Sequence, residues 1–298
     1  MKVVYSPRYA IDIGPHVFPT RKYQLVSERV RAARLNVDIV EPEPVSWTDL
    51  ALVHTPEYLR KIRTGDLDAG ELAQLEIPWS PEAVDGFRLM TGGTLAAARM
   101  ATADGHTTVC HIGGGFHHAF ANHGEGFCMF NDVAIAIRSL LATGAIERAA
   151  VVDLDVHHGN GTAFIFENEP RVFTFSMHQQ HNYPQFKPRG SLDVSLPDRA
   201  DDGLFLDRLK PAMVQVLAHA PDALFYLAGA DPYRDDQLGG LALTKEGLRE
   251  RDRVVLDACA AHGIATVVVL AGGYAWNVED TIDIHYATVE QAASLQQR

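Results

Sequence analysis

The chain has 298 residues, 47% hydrophobic and 21% charged, a balance that can bury a large core and shows no linker, internal repeat or low-complexity tract, so one domain spanning 1–298 is expected. Its 26 basic against 38 acidic residues give a net charge of -12 with no basic run, which argues against nucleic-acid binding and suits a cationic substrate such as a lysine side chain or a polyamine, although solubility alone accounts for it. The odd set Cys110, Cys128 and Cys259, the absence of a signal-peptide core after Met1 and the lack of any apolar run of membrane-spanning length lead us to expect a reducing, cytoplasmic location and no membrane partner.

In chain order, Lys2 to Tyr5 reads as a strand and Arg21 to Arg34 as an amphipathic helix with Leu25, Val26, Val30 and Ala33 turned inward. Val37 to Val40 is a second strand, closed by Glu41-Pro42-Glu43-Pro44. Thr55 before Pro56 is an N-cap followed by proline at the first helical position, and that helix runs to about Thr64, before Gly65. A long Ala-rich helix occupies Pro81 to Ala103, and an apolar strand from Thr107 to Ile112 ends in Gly113-Gly114-Gly115. Asn131 to Thr143 is a helix and Ala149 to Leu154 a strand, the one around which the sequence reading centres. Val172 to Met177, Ala223 to Leu227 and Ile264 to Leu270 are further apolar strands, with helices Phe205 to Ala218, Lys245 to His262 and Val278 to Gln291. Strands alternating with helices specify an α/β fold with a mainly parallel sheet covered by helices on both faces.

The chemistry collects at the strand ends. Strand alternation puts Asp153, Asp155 and His157 on one side at a carboxyl end, where open α/β sheets bind ligands. An Asp and a neutral His two residues apart suit a divalent metal such as zinc. Asp231, in Ala228-Gly229-Ala230-Asp231 after another strand, supplies a third ligand and leaves a fourth position for water. Eight of the 14 histidines fall between residues 111 and 181. Two of them, His117 and His118, follow the glycine loop as neighbours, which suits proton transfer better than a shared metal point. Gly272-Gly273-Tyr274 follows the strand ending at Leu270 and brings a phenol to the same rim.

Gly-Gly-Gly-Phe-His-His (113–118), Gly-Phe-Cys-Met-Phe-Asn-Asp (126–132), Asp-Leu-Asp-Val-His-His-Gly-Asn-Gly-Thr (153–162), Gly-Ala-Asp (229–231) and Gly-Gly-Tyr (272–274), with Leu-Val-His-Thr-Pro-Glu-Tyr-Leu (52–59), resemble the motifs of the zinc-dependent histone deacetylase family, in order and over nearly the whole chain. Phe116, the compact length and His16-Val17-Phe18-Pro19 followed by Lys22 look most like the class IV branch and its bacterial relatives.

The resemblance implies the arginase/deacetylase three-layer fold with a parallel sheet of about eight strands. It implies Asp155, His157 and Asp231 as zinc ligands, His117 and His118 as the tandem histidines, and Tyr274 as the group that polarises the amide carbonyl. Asp153 would orient His117 and help hold a structural monovalent cation, commonly potassium, with Ser176 and the backbone carbonyls of Asp155, His157 and Met177. Asn160 stands where some members have Asp behind the second histidine, which lowers the expected basicity of His118. Gly126, Phe127, Tyr183, Gly272 and Gly273 would line the substrate channel.

The expected activity is zinc-dependent removal of acyl groups from lysine in proteins or peptides, with acylated small amines such as acetylpolyamines as the alternative and no obligatory protein partner. A two-manganese ureohydrolase lacks its Asp/His-rich signatures here, and a non-catalytic acyl-lysine reader would need a missing ligand, base or tyrosine. Tyr183 and Phe186 beside Phe127 suggest an apolar wall that favours long acyl chains, unless Met129 or Phe130 closes the floor.

Overall fold

In the computed structural model, which describes residues 1–103 and 107–295, the alternation resolves into one sheet. Its strands are β1 (Lys2–Val4), β2 (Asp38–Val40), β3 (Thr108–His111), β4 (Ala149–Asp153), β5 (Val172–Gln179), β6 (Leu192–Leu196), β7 (Ala223–Leu227) and β8 (Ala265–Val269). They lie in the order β2-β1-β3-β8-β7-β4-β5-β6, and every pairing is parallel. All five residues of β4, β7 and β8 are buried, which is why these strands are mainly apolar: a parallel strand covered on both faces has no solvent side to leave polar.

The helices are α1 (Lys22–Ala32), α2 (Trp47–Leu50), α3 (Pro56–Thr64), α4 (Ala69–Leu75), α5 (Pro81–Ala103), α6 (Asp132–Thr143), α7 (Asn160–Ile165), α8 (Asp202–Ala218), α9 (Lys245–Ala261) and α10 (Val278–Leu295). Helices α1, α8, α9 and α10 form one packed group, and α5 and α6 anchor another with α2, α3 and α7 at its margins. With the sheet they make three layers. Thr55 caps α3 by accepting from the Tyr58 amide, and Gly65 ends it in the left-handed conformation, as the sequence indicates. Among the described residues no helix is long and apolar enough to cross a membrane.

Several features depart from the sequence reading. Edge strand β6 was not expected, because Leu-Asp-Val-Ser-Leu mixes polar residues into a short run that is only half covered. Helices α2, α4 and α7 are too short for a periodic signal. Strand β4 is not the middle of the sheet but third from the β6 edge. In α1 the buried face is Lys22, Tyr23, Val26, Ser27 and Val30, whereas Ala33 is exposed beyond the helix and Leu25 only half covered. A lysine takes the place where the apolar pattern predicts a hydrophobe.

The strand order positions the site. Strands β3, β8, β7 and β4 are consecutive neighbours, because β7 and β8 insert between two halves of the chain built earlier. Their parallel direction brings the loops 112–118, 270–274, 228–231 and 154–158 to the same end of the sheet, side by side. Beneath them, the Arg251 guanidinium from α9 pairs with Asp252, which also accepts from Tyr226 and Thr288, and donates to the carbonyls of Gly229 and Leu154. This fully buried ion pair therefore stitches the end of β4 to the loop after β7. Removing one partner of such a pair costs about 3 to 5 kcal/mol.

Candidate active site

The loop after β4 carries Asp155, whose Oδ1 accepts from the His157 amide at 2.9 Å and lies 3.0 Å from His157 Nδ1. The loop after β7 brings Asp231 to the same point: its Oδ1 accepts from the Val156 amide at 2.9 Å, and its Oδ2 lies 3.5 Å from His157 Nδ1. All three residues are buried, and one ligand atom from each lies within 4.8 Å of the others. Asp231 Oδ2 has no hydrogen-bond partner, although it is sealed from solvent. Two buried carboxylates and an imidazole nitrogen aimed at one point, one oxygen of them orphaned, are a donor set that could hold a metal ion. Gly272 closes over this point. Its amide donates to Asp155 Oδ2 at 2.9 Å, and a Cβ there would collide with Asp231 Oδ2.

Burial alone would depress a histidine here, but the flanking carboxylates outweigh it. Asp155 and Asp231 hold His157 at about 10 when no cation shares them, while burial and the Asp155 charge raise Asp231 to about 7. A cation at the centre would take the place of those protons.

Opposite the carboxylates, the glycine loop after β3 presents the two adjacent histidines. Asp132, at the start of α6, shapes this loop: its carboxylate accepts from the amides of Gly115 at 3.0 Å and Phe116 at 2.8 Å and from Thr94 Oγ1. His117 Nδ1 lies 2.7 Å from Asp153 Oδ2, and burial is again outweighed, here by Asp153 and Asp155, so that His117 is raised to about 9. His118 Nδ1 meets Asn160 Oδ1 at 2.7 Å. Burial and then the charges of His117 and His157 push His118 well below the ordinary histidine value.

A cavity of about 190 Å³ leads to this centre. Phe127 forms one wall, with its ring stacked on Phe18 at 6.2 Å and edge-on to Tyr274 at 6.0 Å. Tyr183 forms the facing wall, edge-on to His118 at 4.9 Å. Gly126 between them has a φ of 52°, and a Cβ there would come within 2.9 Å of both His118 and Tyr183, so only glycine lets the walls approach this closely. Asp236 accepts from the Tyr274 amide at 2.7 Å and fixes the turn that carries the phenol.

The structure thus gathers Asp153, Asp155, His157, Asn160, Asp231, His117, His118 and Tyr274 at one end of the sheet and places Gly126, Phe127, Tyr183 and Gly272 along the cavity. Gly273 is a correction: it does not line the cavity but turns toward Ala230, Thr281 and His285. Phe186 is 62% exposed and absent from the wall, and Met129 and Phe130 are buried elsewhere in the core, so neither closes the floor. The lining also includes Gly114, Gly115, Phe116, Cys128 and Ala271. Ser176 pairs in register with Asp153 across β4 and β5, and its hydroxyl lies 3.0 Å from His178 Nδ1.

Sequence reasoning missed several supporting groups. Lys22 is fully buried and donates to the Ala271 carbonyl at 2.8 Å, with its ammonium 5.4 Å from the Tyr274 ring centre; burial lowers it to about 8 despite Asp231 and Asp155. Glu76 lies at the cavity wall, and Glu125, Asp132 and Asp236 brace loops. Lone carboxylates in polar loops carry no spacing signal, but a lysine on the inner stripe of α1 does, once the stripe is phased correctly.

Residues 16–289 match the histone deacetylase domain. An uncharacterized protein of Picosynechococcus sp. is 40% identical over 95% of both chains, and histone deacetylase 2 of Arabidopsis thaliana is 31% identical over 92% of this chain and 74% of its own. Among solved structures, acetylpolyamine aminohydrolase from Burkholderia pseudomallei shares the arginase/deacetylase fold, with a TM-score of 0.83 at 22% identity over 99% of both chains. By the match along its length and by these relatives, the chain belongs to the histone deacetylase domain family.

Proposed function

We propose that the protein is a zinc-dependent amidohydrolase that removes acyl groups, acetyl or longer, from the ε-amino group of lysine in proteins or peptides. The observation that carries this reading is the placement of a buried three-ligand centre and a histidine pair across one narrow cavity, with Tyr274 at its side. Asp155, His157 and Asp231 would hold the zinc ion, which when bound polarises a carbonyl and lowers the pKa of water to about 7.

The chain's own residues do the rest. His118 accepts the proton of the attacking water at Nε2 and delivers one to the leaving amine. His117, kept cationic by Asp153, stabilises the negative charge that develops. The Tyr274 phenol, which burial and the charges of Asp155 and Asp231 hold protonated, donates to the oxygen of the tetrahedral species. Phe127 and Tyr183 sheathe the lysine stem and exclude water. Asp153 and Ser176, which pair in register across β4 and β5, and the backbone carbonyls of Asp155, His157 and Met177 would hold a structural potassium ion.

Glu76 at the cavity wall and the net charge of -12 favour a second reading, a small acylated amine that is cationic beyond its amide, such as an acetylpolyamine. Steady-state assays of the zinc-loaded protein on acyl-lysine peptides and acetylpolyamines decide between them. Higher kcat/KM on peptides supports the first reading, higher kcat/KM on polyamines the second, and hydrolysis of neither class rejects both.

A further inference from the structure

An asparagine behind the second histidine supplies no charge, yet the polar chain does not stop there. Asn160 Nδ2 donates to Glu125 Oε1 at 2.6 Å. The other carboxylate oxygen, Oε2, accepts from Gln74 Nε2 at 2.9 Å and lies 3.4 Å from His123 Nε2, and the Tyr183 hydroxyl also bonds to this carboxyl. Both oxygens are therefore committed, and the Glu125 side chain is only 13% exposed.

A carboxylate has no proton to donate, so the direction of every bond in the chain is set from its outer end. Glu125 can take only the NH₂ of Asn160, which turns the amide oxygen toward His118. The ring must then carry its proton on Nδ1, and Nε2, 3.1 Å from His117 Nε2, is left as the acceptor nitrogen. With the amide reversed, the proton would sit on Nε2 and His118 could not act as a base.

We propose that Glu125 is a positioning residue that acts through Asn160 to hold His118 in the Nδ1–H tautomer, and that through Tyr183 it ties this relay to the channel wall. The proposal rests on the reading of His118 as general base. Its catalytic consequence is that the carboxylate one residue further out substitutes for the missing Asp, aligning the amide dipole with the charge that His118 acquires.

The test uses ¹⁵N-histidine-labelled protein, metal-free and zinc-loaded, in the wild type and in Glu125→Ala, Asn160→Asp and the exchanged pair Glu125→Gln/Asn160→Asp. In the wild type the His118 ring nitrogens should report the Nδ1–H tautomer. In Glu125→Ala that signature should move toward a mixture, and kcat should fall about tenfold or more, part of the roughly 10² to 10⁴ that a positioned base supplies, with KM within about twofold. Asn160→Asp alone opposes two carboxylates and should lose activity, whereas the exchanged pair sets a carboxylate directly behind His118 and an amide donor behind that, and should recover kcat to within a few fold of wild type. If Glu125→Ala does not fold, as judged by circular dichroism, the exchange series still decides. An unchanged tautomer and wild-type kcat in Glu125→Ala would overturn the proposal, as would Asn160→Asp performing as well as the exchanged pair. Failure of the functional reading is separate: the wild type would then hydrolyse no acyl amide, while the tautomer signals would still judge the role of Glu125.

Discussion

Nε2 of His117 lies 3.1 Å from Nε2 of His118, while the two Nδ1 atoms face different partners, the Asp153 carboxylate and the Asn160 amide oxygen. Both partners accept, so both Nδ1 atoms carry protons, and the single proton between the Nε2 atoms belongs to His117, which Asp153 and Asp155 raise against the effect of burial. The two rings thus have unequal charge, and His118 Nε2 is the acceptor of the pair.

Asp153→Asn keeps an acceptor for His117 but removes the charge that keeps it cationic. The expected result is a fall in kcat of about a hundredfold with melting temperature changed by only a few degrees. Unchanged kcat would mean that the charge on His117 does not serve the reaction.

Asp231 contributes the orphaned oxygen of the buried Asp155, His157 and Asp231 cluster. Asp231→Ala should abolish both zinc binding, measured by elemental analysis after dialysis, and hydrolysis. Full zinc occupancy in that variant would reject the ligand assignment.

Tyr274 is held by Asp236 at its backbone and by Phe127 and Lys22 at its ring. If its hydroxyl stabilises the oxyanion, Tyr274→Phe should lower kcat by about a hundredfold or more with zinc retained. Near-normal turnover would make the residue one of packing alone.

The cavity lining includes Gly114, Gly115, Phe116, Cys128 and Ala271, a largely apolar surface. Each buried methylene contributes about 0.8 kcal/mol, so kcat/KM should rise from acetyl to a medium or long acyl chain on one peptide. A monotonic fall from acetyl through octanoyl to myristoyl would contradict this.

His111 bridges Tyr9 OH at 2.8 Å and Thr94 Oγ1 at 2.9 Å, and burial lowers it from 6.5 to about 3. Its folded value lies below its unfolded one. Above pH 6.5 neither state binds the proton and the neutral ring's contribution is whole; between 6.5 and 3 only the unfolded state takes it up, and stability is lost as pH falls. The destabilisation caused by His111→Gln, measured by urea titration, should therefore shrink by about 1.4 kcal/mol per pH unit below 6.5. A difference independent of pH would place the neutral form of His111 in doubt.

Much of the fold was legible in the chain because its strands are buried on both faces: Ala149–Asp153, Ala223–Leu227 and Ala265–Val269 are short, mainly apolar runs of strand length. The chemically distinctive motifs were legible too, since each follows such a run directly. What the sequence could not specify was which strands are neighbours. The insertion of β8 and β7 between β3 and β4 is a long-range packing outcome, and it alone brings Asp231 to Asp155 and Tyr274 to the histidines. The same holds for Glu125, Arg251 and Lys22. A charged residue in a polar loop or helix looks solvated when read locally, and only burial against a distant partner, Asn160, the Gly229 carbonyl or the Ala271 carbonyl, turns it into a support of the site. Local pattern determines which segments must be buried, whereas the pairing of buried polar groups depends on contacts between residues far apart in the chain.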